Sequence, residues 1–125
     1  SAIAHEIFHT YGQEHANAIV CHDNQVLTPD GTGCRNQGYG DLFSIMGLRS
    51  YASHPNPATL DNLGWISDGN DMVTVTLSGS YTLYPLEQAI SPVKALRIDI
   101  EDPMPLFESN SNSALKMDRV YVHYR

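Results

Sequence analysis

The sequence predicts an α+β fold, in which helical segments near the start of the chain precede a β-rich part. Residues 1–11 contain no helix breaker, and Gly12 then provides a plausible left-handed end for a helix. In the second half of the chain Val73, Val75 and Leu77 alternate with polar residues, as in a half-buried strand. We therefore predict an initial helix, an irregular segment, a short second helix and then an antiparallel β-rich unit.

Two helices are predicted in the first half of the chain. The first covers residues 1–11, and its apolar side consists of Ala2, Ile3, Ile7 and Phe8. The second has Asn56 as its N-cap and Pro57 as its first residue, because the fixed φ angle of proline suits the first helical turn. It runs to about Leu63 before Gly64 ends it. Residues 13–40 contain many turn-forming residues and are predicted to be rich in loops.

The second half of the chain is predicted to form a β-rich unit. The predicted strands are 73–77, 81–84, 94–100 and 119–125. The first two would form a hairpin around a turn at Gly79 and Ser80. We place the boundary between a first part, 1–66, and a β-rich part, 67–125.

Composition restricts the classes of partner. The chain has 125 residues, 14 of them acidic and 7 basic, with a formal net charge of -7. Nucleic acids and anionic membranes require a basic face, so neither is an expected partner. No apolar run approaches the ~20 residues of a membrane span. The chain begins within a helical pattern and without a signal peptide, so we expect a fragment that opens inside a larger domain. Composition does not indicate an oligomeric state.

Cys21 and Cys34 lie 13 positions apart in a stretch rich in glycine, asparagine and aspartate. We predict a disulfide between them, because thiol pairs in loops oxidise readily outside the cytosol. This pairing favours an exported protein. Two unpaired thiols and metal ligation remain alternatives.

The segment His5–His15 fits the pattern H-E-x-x-H-x-x-G-x-x-H at every fixed position. Histidines four positions apart on a helix share one face, so His5 and His9 can reach one ion. Gly12 allows a sharp turn, because glycine takes a positive φ angle without steric cost. The turn brings His15 round as a third ligand.

Three imidazoles leave one position of a tetrahedral zinc ion open, as a catalytic site requires. A water at that position becomes acidic near neutral pH, and Glu6 can accept its proton as a general base and pass it to the leaving amine. A purely structural zinc site is a poorer interpretation, because such sites use four protein ligands. The remaining histidines, His22, His54 and His123, fit no ligand spacing.

The chain resembles the gametolysin family of metzincins in its zinc motif and in later segments. These segments are Tyr39-Gly40-Asp41, Ser44-Ile45-Met46-Gly47, Asn56-Pro57 to Leu63-Gly64-Trp65, and the strand ending in Val122-His123-Tyr124-Arg125. The resemblance implies zinc at His5, His9 and His15, Glu6 as the base, and Met46 in a turn that gives the histidines an apolar floor. It also implies a secreted endopeptidase that acts on extracellular proteins or glycoproteins.

The chain departs from the family in two ways. Leu48 stands where some metzincins have a tyrosine that assists at the metal. The N-terminal half of a metzincin domain, with the sheet that binds extended substrate, is also missing, so we expect Ile3 and Ile7 to face solvent.

Several assignments stay open at the level of sequence. Asp41 either orients a zinc ligand or serves as a turn residue. The sequence does not indicate whether calcium binds among Asp23, Asp30 and Asp41. Two other functions compete with the peptidase, namely a binding or adhesion module that keeps zinc and a zinc hydrolase acting on non-peptide substrates. Glu6 argues against a pure binding module, which needs no base beside its metal.

Overall fold

A computed structural model of the chain describes residues 2–22, 33–48, 54–89, 92–107 and 115–124. In chain order the elements are α1 (Ala2–Thr10), β1 (Ala18–Cys21), β2 (Cys34–Gln37), α2 (Pro57–Asn62), β3 (Met72–Thr74), β4 (Ala95–Phe107) and β5 (Leu115–His123). β1 and β2 form one sheet, and β3, β4 and β5 form a second sheet with β4 in the centre. The α+β class is therefore confirmed.

The chain divides into two compact units. The first consists of Ser1–Asn56 with Met104–Lys116, and the second of Pro57–Pro103 with Met117–Arg125. Helix α2 thus belongs to the second unit. The predicted division into domains 1–66 and 67–125 remains a prediction.

Strands β1 and β2 lie within residues 13–40, which were predicted to be rich in loops and for which no strand was predicted. They pair in antiparallel register, with Cys21 opposite Cys34 and Ala18 opposite Gln37. Each strand has only four residues, and most of their side chains are exposed, so neither shows the alternation that marks a half-buried strand. The predicted disulfide between Cys21 and Cys34 is confirmed.

Helix α2 begins at Pro57 and ends before Gly64, as predicted. Gly64 has a φ angle of 69°, which favours glycine. The amide of Gly64 donates to the carbonyl of Asp61, and the amide of Trp65 donates to that of Leu60, at 2.9 and 2.8 Å. These two bonds form a Schellman motif, which closes the helix.

The second sheet differs from the predicted antiparallel unit. β3 pairs with β4 in parallel, with Met72 opposite Ala95. The predicted hairpin is wrong, because residues 81–84 do not form a strand. Parallel neighbours need a crossover of a dozen residues or more, and the segment between β3 and β4 is long enough for one. The predicted strands 94–100 and 119–125 correspond to β4 and β5, except that Arg125 lies outside the described residues.

The second unit has a small apolar core with a polar hub beside it. Ile66, Met72 and Ala95 are buried together, and Leu60 and Tyr121 pack against them. The polar hub is Asp61, whose Oδ2 accepts hydrogen bonds from the Tyr121 hydroxyl at 2.6 Å and the Arg97 guanidinium at 3.4 Å. Burial and the hydrogen bond to Asp61 raise the pKa of Tyr121. The hub ties α2 to β4 and β5.

Helix α1 buries one residue of its predicted apolar side and exposes others. Phe8 is buried, whereas Ile3 is 76% and Ile7 48% exposed, which confirms that both isoleucines face solvent. Among the described residues, no helix has the length and apolarity that a membrane crossing demands.

We predict that Met72→Ala destabilises the second unit by about 2–5 kcal/mol, because Met72 is fully buried and its truncation leaves a cavity. Denaturant unfolding followed by the fluorescence of Trp65, the only tryptophan, reports on this unit. Leu77→Ala is the control, because Leu77 is 76% exposed and its truncation changes stability by no more than about 0.5 kcal/mol. Equal unfolding midpoints for the two variants would contradict this account of the core.

Candidate metal centre

Helix α1 places His5 and His9 on one face. Residues four apart on a helix lie one above the other, and the two imidazole centroids are 4.9 Å apart at a steep angle of 80°. His5 is only 2% exposed, while His9 is half-buried. The helix therefore presents two imidazoles to one point in space.

Gly12 ends α1 and turns the chain back towards these histidines. Its φ angle is 76°, and its amide donates to the carbonyl of His9 at 2.9 Å. The amide of Gln13 donates to the carbonyl of Phe8 at 3.1 Å, which completes a Schellman motif. The turn delivers His15, whose ring centroid lies 4.7 Å from that of His9.

The three predicted zinc ligands therefore come together. One nitrogen from each of His5, His9 and His15 can be chosen so that all lie within 4.8 Å of one another, and this cluster can hold a metal ion. The Nε2 atoms of His9 and His15 are 3.0 Å apart. Two nitrogens at this separation can bind the same metal ion.

Two backbone carbonyls orient two of the imidazoles. The Nδ1 of His5 donates to the carbonyl of Ile45 at 2.8 Å, and that of His9 to the carbonyl of Gln13 at 2.7 Å. A carbonyl only accepts, so each Nδ1 carries the proton and each Nε2 keeps a lone pair for a metal. Sequence reasoning missed both carbonyls, because any residue type supplies one.

The carbonyl that holds His5 belongs to the Met46 turn, residues 44–47. Met46 is completely buried, and its amide donates to the Ser44 hydroxyl at 3.2 Å. The amide of Ala16 donates to the carbonyl of Met46 at 2.8 Å, which ties the turn to the residue after His15. That Met46 forms a floor beneath the histidines remains a prediction.

Asp41 organises this turn from its side chain and its backbone. Its carboxylate accepts from the amide of Phe43 at 2.9 Å and from the side-chain amide of Asn56 at 3.3 Å. A Cβ atom at Gly47 would collide with the backbone carbonyl of Asp41, so only glycine allows this close approach. These contacts are those of a turn residue, and a role of Asp41 in orienting a zinc ligand remains a prediction.

Glu6 lies on α1 next to His5 and is exposed. Helical geometry of about 100° per residue places it only about 60° around the axis from His9. It is thus on the side of the helix that carries His5 and His9. Its role as a base remains a prediction.

The other candidate ligands do not join this cluster. Among the described residues, His5, His9 and His15 are the one group of three side chains close enough to hold a metal. His22 and His54 are exposed, and His123 lies on β5 in the second unit. Asp23 and Asp30 lie outside the described residues, so calcium binding there is not tested.

Tyr39 is a neighbour of the cluster that sequence reasoning did not select. Its ring centroid is 3.9 Å from that of His15 and 6.1 Å from that of His5. Its φ angle of 59° is left-handed, a conformation that costs an L-residue about 1–2 kcal/mol. No local sequence pattern predicts this backbone, because tyrosine rarely takes such a conformation.

Comparison with known proteins finds no matching family model, no similar curated protein and no similar solved structure. The gametolysin and metzincin resemblance accordingly stays a hypothesis. Support for a function comes from the residues and geometry of the metal centre.

We predict that Gly12→Ala weakens metal binding beyond its effect on stability. Nothing lies within 4 Å of a Cβ added at Gly12, so its cost is the strained backbone alone, about 1–2 kcal/mol. We expect the turn to relax and relieve part of that strain, which displaces His15. The Zn²⁺ affinity should then fall by about fivefold or more, equivalent to about 1 kcal/mol.

Gly64→Ala is the matched control, because Gly64 also has a positive φ angle and open space around an added Cβ. We expect a similar loss of stability and an unchanged Zn²⁺ affinity in this variant. Chelator competition measures affinity, and denaturant unfolding of the metal-free proteins measures stability. Equal affinities in the two glycine variants would show that the turn does not position His15.

Proposed function

We propose that the chain is the zinc-binding and catalytic part of a metzincin-type metalloendopeptidase, similar to the gametolysin family. The observation that carries the proposal is the convergence of His5, His9 and His15 into one cluster able to hold a metal. The carbonyl contacts of His5 and His9 add support, because they leave both Nε2 atoms ready to bind an ion.

Zinc is the metal that fits this donor set best. Three histidines without a cysteine or a clustered carboxylate match the ligands of known catalytic zinc sites, and three protein ligands leave a position for water or substrate. A zinc ion bound there would supply Lewis-acid chemistry, which polarises a carbonyl group and lowers the pKa of a coordinated water. Calcium and magnesium prefer oxygen ligands, which this cluster does not supply.

The side chains around that ion have two proposed roles, as metal ligands and as a general base. His5, His9 and His15 would hold it through imidazole nitrogens, and burial of His5 keeps part of the site away from bulk water. Glu6 accepts the proton of the attacking water and then delivers it to the nitrogen of the leaving amine. A base one residue from the first ligand has no purpose in a site that only stores metal, so Glu6 favours hydrolysis.

Extracellular proteins or glycoproteins are the proposed substrates. The disulfide between Cys21 and Cys34 is consistent with an exported protein, since the cytosol keeps most thiols reduced. An excess of acidic residues, with a net charge of -7, makes nucleic acid or an anionic membrane surface an unsuitable partner. We therefore propose secretion and a protein substrate.

We predict about one zinc per chain, as expected for a single catalytic centre. His9→Ala should lower the zinc affinity by more than about 100-fold. Loss of a residue that only orients a ligand costs about 10–100-fold, and loss of a direct ligand should cost more. His22→Ala is the control, since His22 is exposed and outside the cluster. Elemental analysis and chelator competition give the two values. Unchanged zinc content in His9→Ala would refute the ligand assignment.

We predict that Glu6→Gln in the full-length protein keeps zinc but lowers kcat/KM for a protein substrate by at least about 100-fold, the contribution of a general base. Glu14→Gln is the control, because Glu14 lies within the same motif at a position where any residue is allowed. Full activity of Glu6→Gln would assign the base elsewhere. A zinc-loaded protein that cleaves no peptide would favour the binding module, and cleavage of esters alone would favour the non-peptide hydrolase.

A further inference from the structure

The side chain that contacts the third histidine is held by an unusual backbone. Tyr39 is the only non-glycine residue with a positive φ angle among the residues that the structure describes. Strained residues persist only where their surroundings enforce them, and they concentrate at functional sites. Tyr39 lies beside the cluster of three histidines, a position where a strained backbone can serve a function.

The segment that follows His15 enforces this conformation. The amide of Tyr39 donates to the side-chain oxygen of Asn17 at 3.0 Å. Two residues on, the amide of Asp41 donates to the carbonyl of Ala16 at 3.1 Å. Because Ala16 and Asn17 directly follow His15 in sequence, the same short segment carries the histidine and fixes the backbone of the tyrosine.

The two rings are close enough to restrict one another. The Tyr39 and His15 centroids are 3.9 Å apart, with the ring planes inclined by 35°. At this separation the faces are in van der Waals contact, so rotation of the His15 ring about χ2 would drive it into the tyrosine. The contact thereby selects one orientation of the imidazole.

His15 differs from the other two histidines in what orients it. His5 and His9 each donate an Nδ1 hydrogen bond to a backbone carbonyl. Within the described part of the chain, the His15 ring lies against the rings of His5, His9 and Tyr39, and its Nε2 approaches that of His9. The face of the Tyr39 ring is therefore the group that restricts the orientation of the His15 imidazole.

We propose that Tyr39 is a positioning residue for the metal centre, and that its ring fixes the orientation of His15. The inference rests on the proposed function only in taking the three histidines as metal ligands. Ordering His15 before the metal arrives lowers the entropy lost on binding, as an outer hydrogen bond does for an imidazole ligand. The strained backbone of Tyr39 is the means by which the ring reaches this position.

The ring supplies this effect, and the hydroxyl is not needed for it. Tyr39 is 39% exposed, and the contact that defines its place is between ring faces. Tyr39→Phe should therefore keep the Zn²⁺ affinity within about twofold of the unchanged protein. Tyr39→Asn removes the ring but suits the backbone, because asparagine takes the left-handed conformation more readily than tyrosine.

The decisive experiment compares Zn²⁺ affinity and stability in these variants by chelator competition and by denaturant unfolding of the metal-free proteins. Tyr39→Asn should bind Zn²⁺ about 10–100-fold more weakly, the usual effect of losing an outer partner, while its unfolding midpoint stays equal or rises. If Tyr39 only stabilised the fold, its loss would lower the unfolding midpoint together with the Zn²⁺ affinity. The visible absorption spectrum of the Co²⁺ form should also change in Tyr39→Asn and match the unchanged protein in Tyr39→Phe.

Tyr84→Asn is the matched control, because Tyr84 is 40% exposed and belongs to the second unit, and we expect its Zn²⁺ affinity to be unchanged. Asn17→Ala is a second test, since it releases the Tyr39 backbone and should also weaken Zn²⁺ binding. Tight binding by Tyr39→Asn would overturn the inference and leave the zinc site intact, and weak binding by Tyr39→Phe would transfer the role to the hydroxyl. Failure of the unchanged protein to bind Zn²⁺ would overturn both the inference and the proposed function.

Discussion

The hydrogen bond from the His5 imidazole to the carbonyl of Ile45 joins two segments that are 40 positions apart in the chain. His5 is almost completely buried, so an unpaired Nδ1 would lose its hydrogen bonds to water without replacement. The bond therefore constrains helix α1 and the Met46 turn together. Once the turn is fixed, its Met46 carbonyl holds the amide of Ala16, and the segment after His15 is fixed in consequence.

The orientation of the three clustered histidines depends more on backbone groups than on other side chains. His5 donates to the distant carbonyl of Ile45, and His9 donates to the nearby carbonyl of Gln13. His15 contacts the ring of Tyr39. Because carbonyl positions follow the path of the chain, the site is sensitive to the turns that set that path. Gly47, which must lie against the backbone of Asp41, is one such point.

The second unit has a different physical basis. Its buried residues Ile66, Met72 and Ala95 form an apolar core. Beside this core, the carboxylate of Asp61 accepts hydrogen bonds from a guanidinium and a phenol hydroxyl. The carboxylate of Asp61 is shared by groups from separate strands, so the core and the polar hub constrain the same elements. Stability of this unit therefore follows from packing and polar pairing that do not involve the histidine cluster.

Local rules account for the features that the sequence alone determined. The spacing of His5, His9 and His15 places three imidazoles together, because helical periodicity and one glycine turn are short-range properties. The start of α2 at Pro57 follows from the fixed φ angle of proline, which is also a local property. The disulfide between Cys21 and Cys34 was predictable as a pairing of the only cysteines.

Tertiary structure alone decided the groups that orient the site and the pairing of the second sheet. The carbonyl of Ile45 carries no residue-type signal, and the amide of the left-handed Tyr39 donates to the side chain of Asn17 from another segment. Likewise, alternation around Val73 indicates a strand but not its partner, and β3 pairs in parallel with β4 rather than with residues 81–84. Sequence patterns report which face a residue prefers, whereas the choice among distant partners depends on the packing of the folded chain.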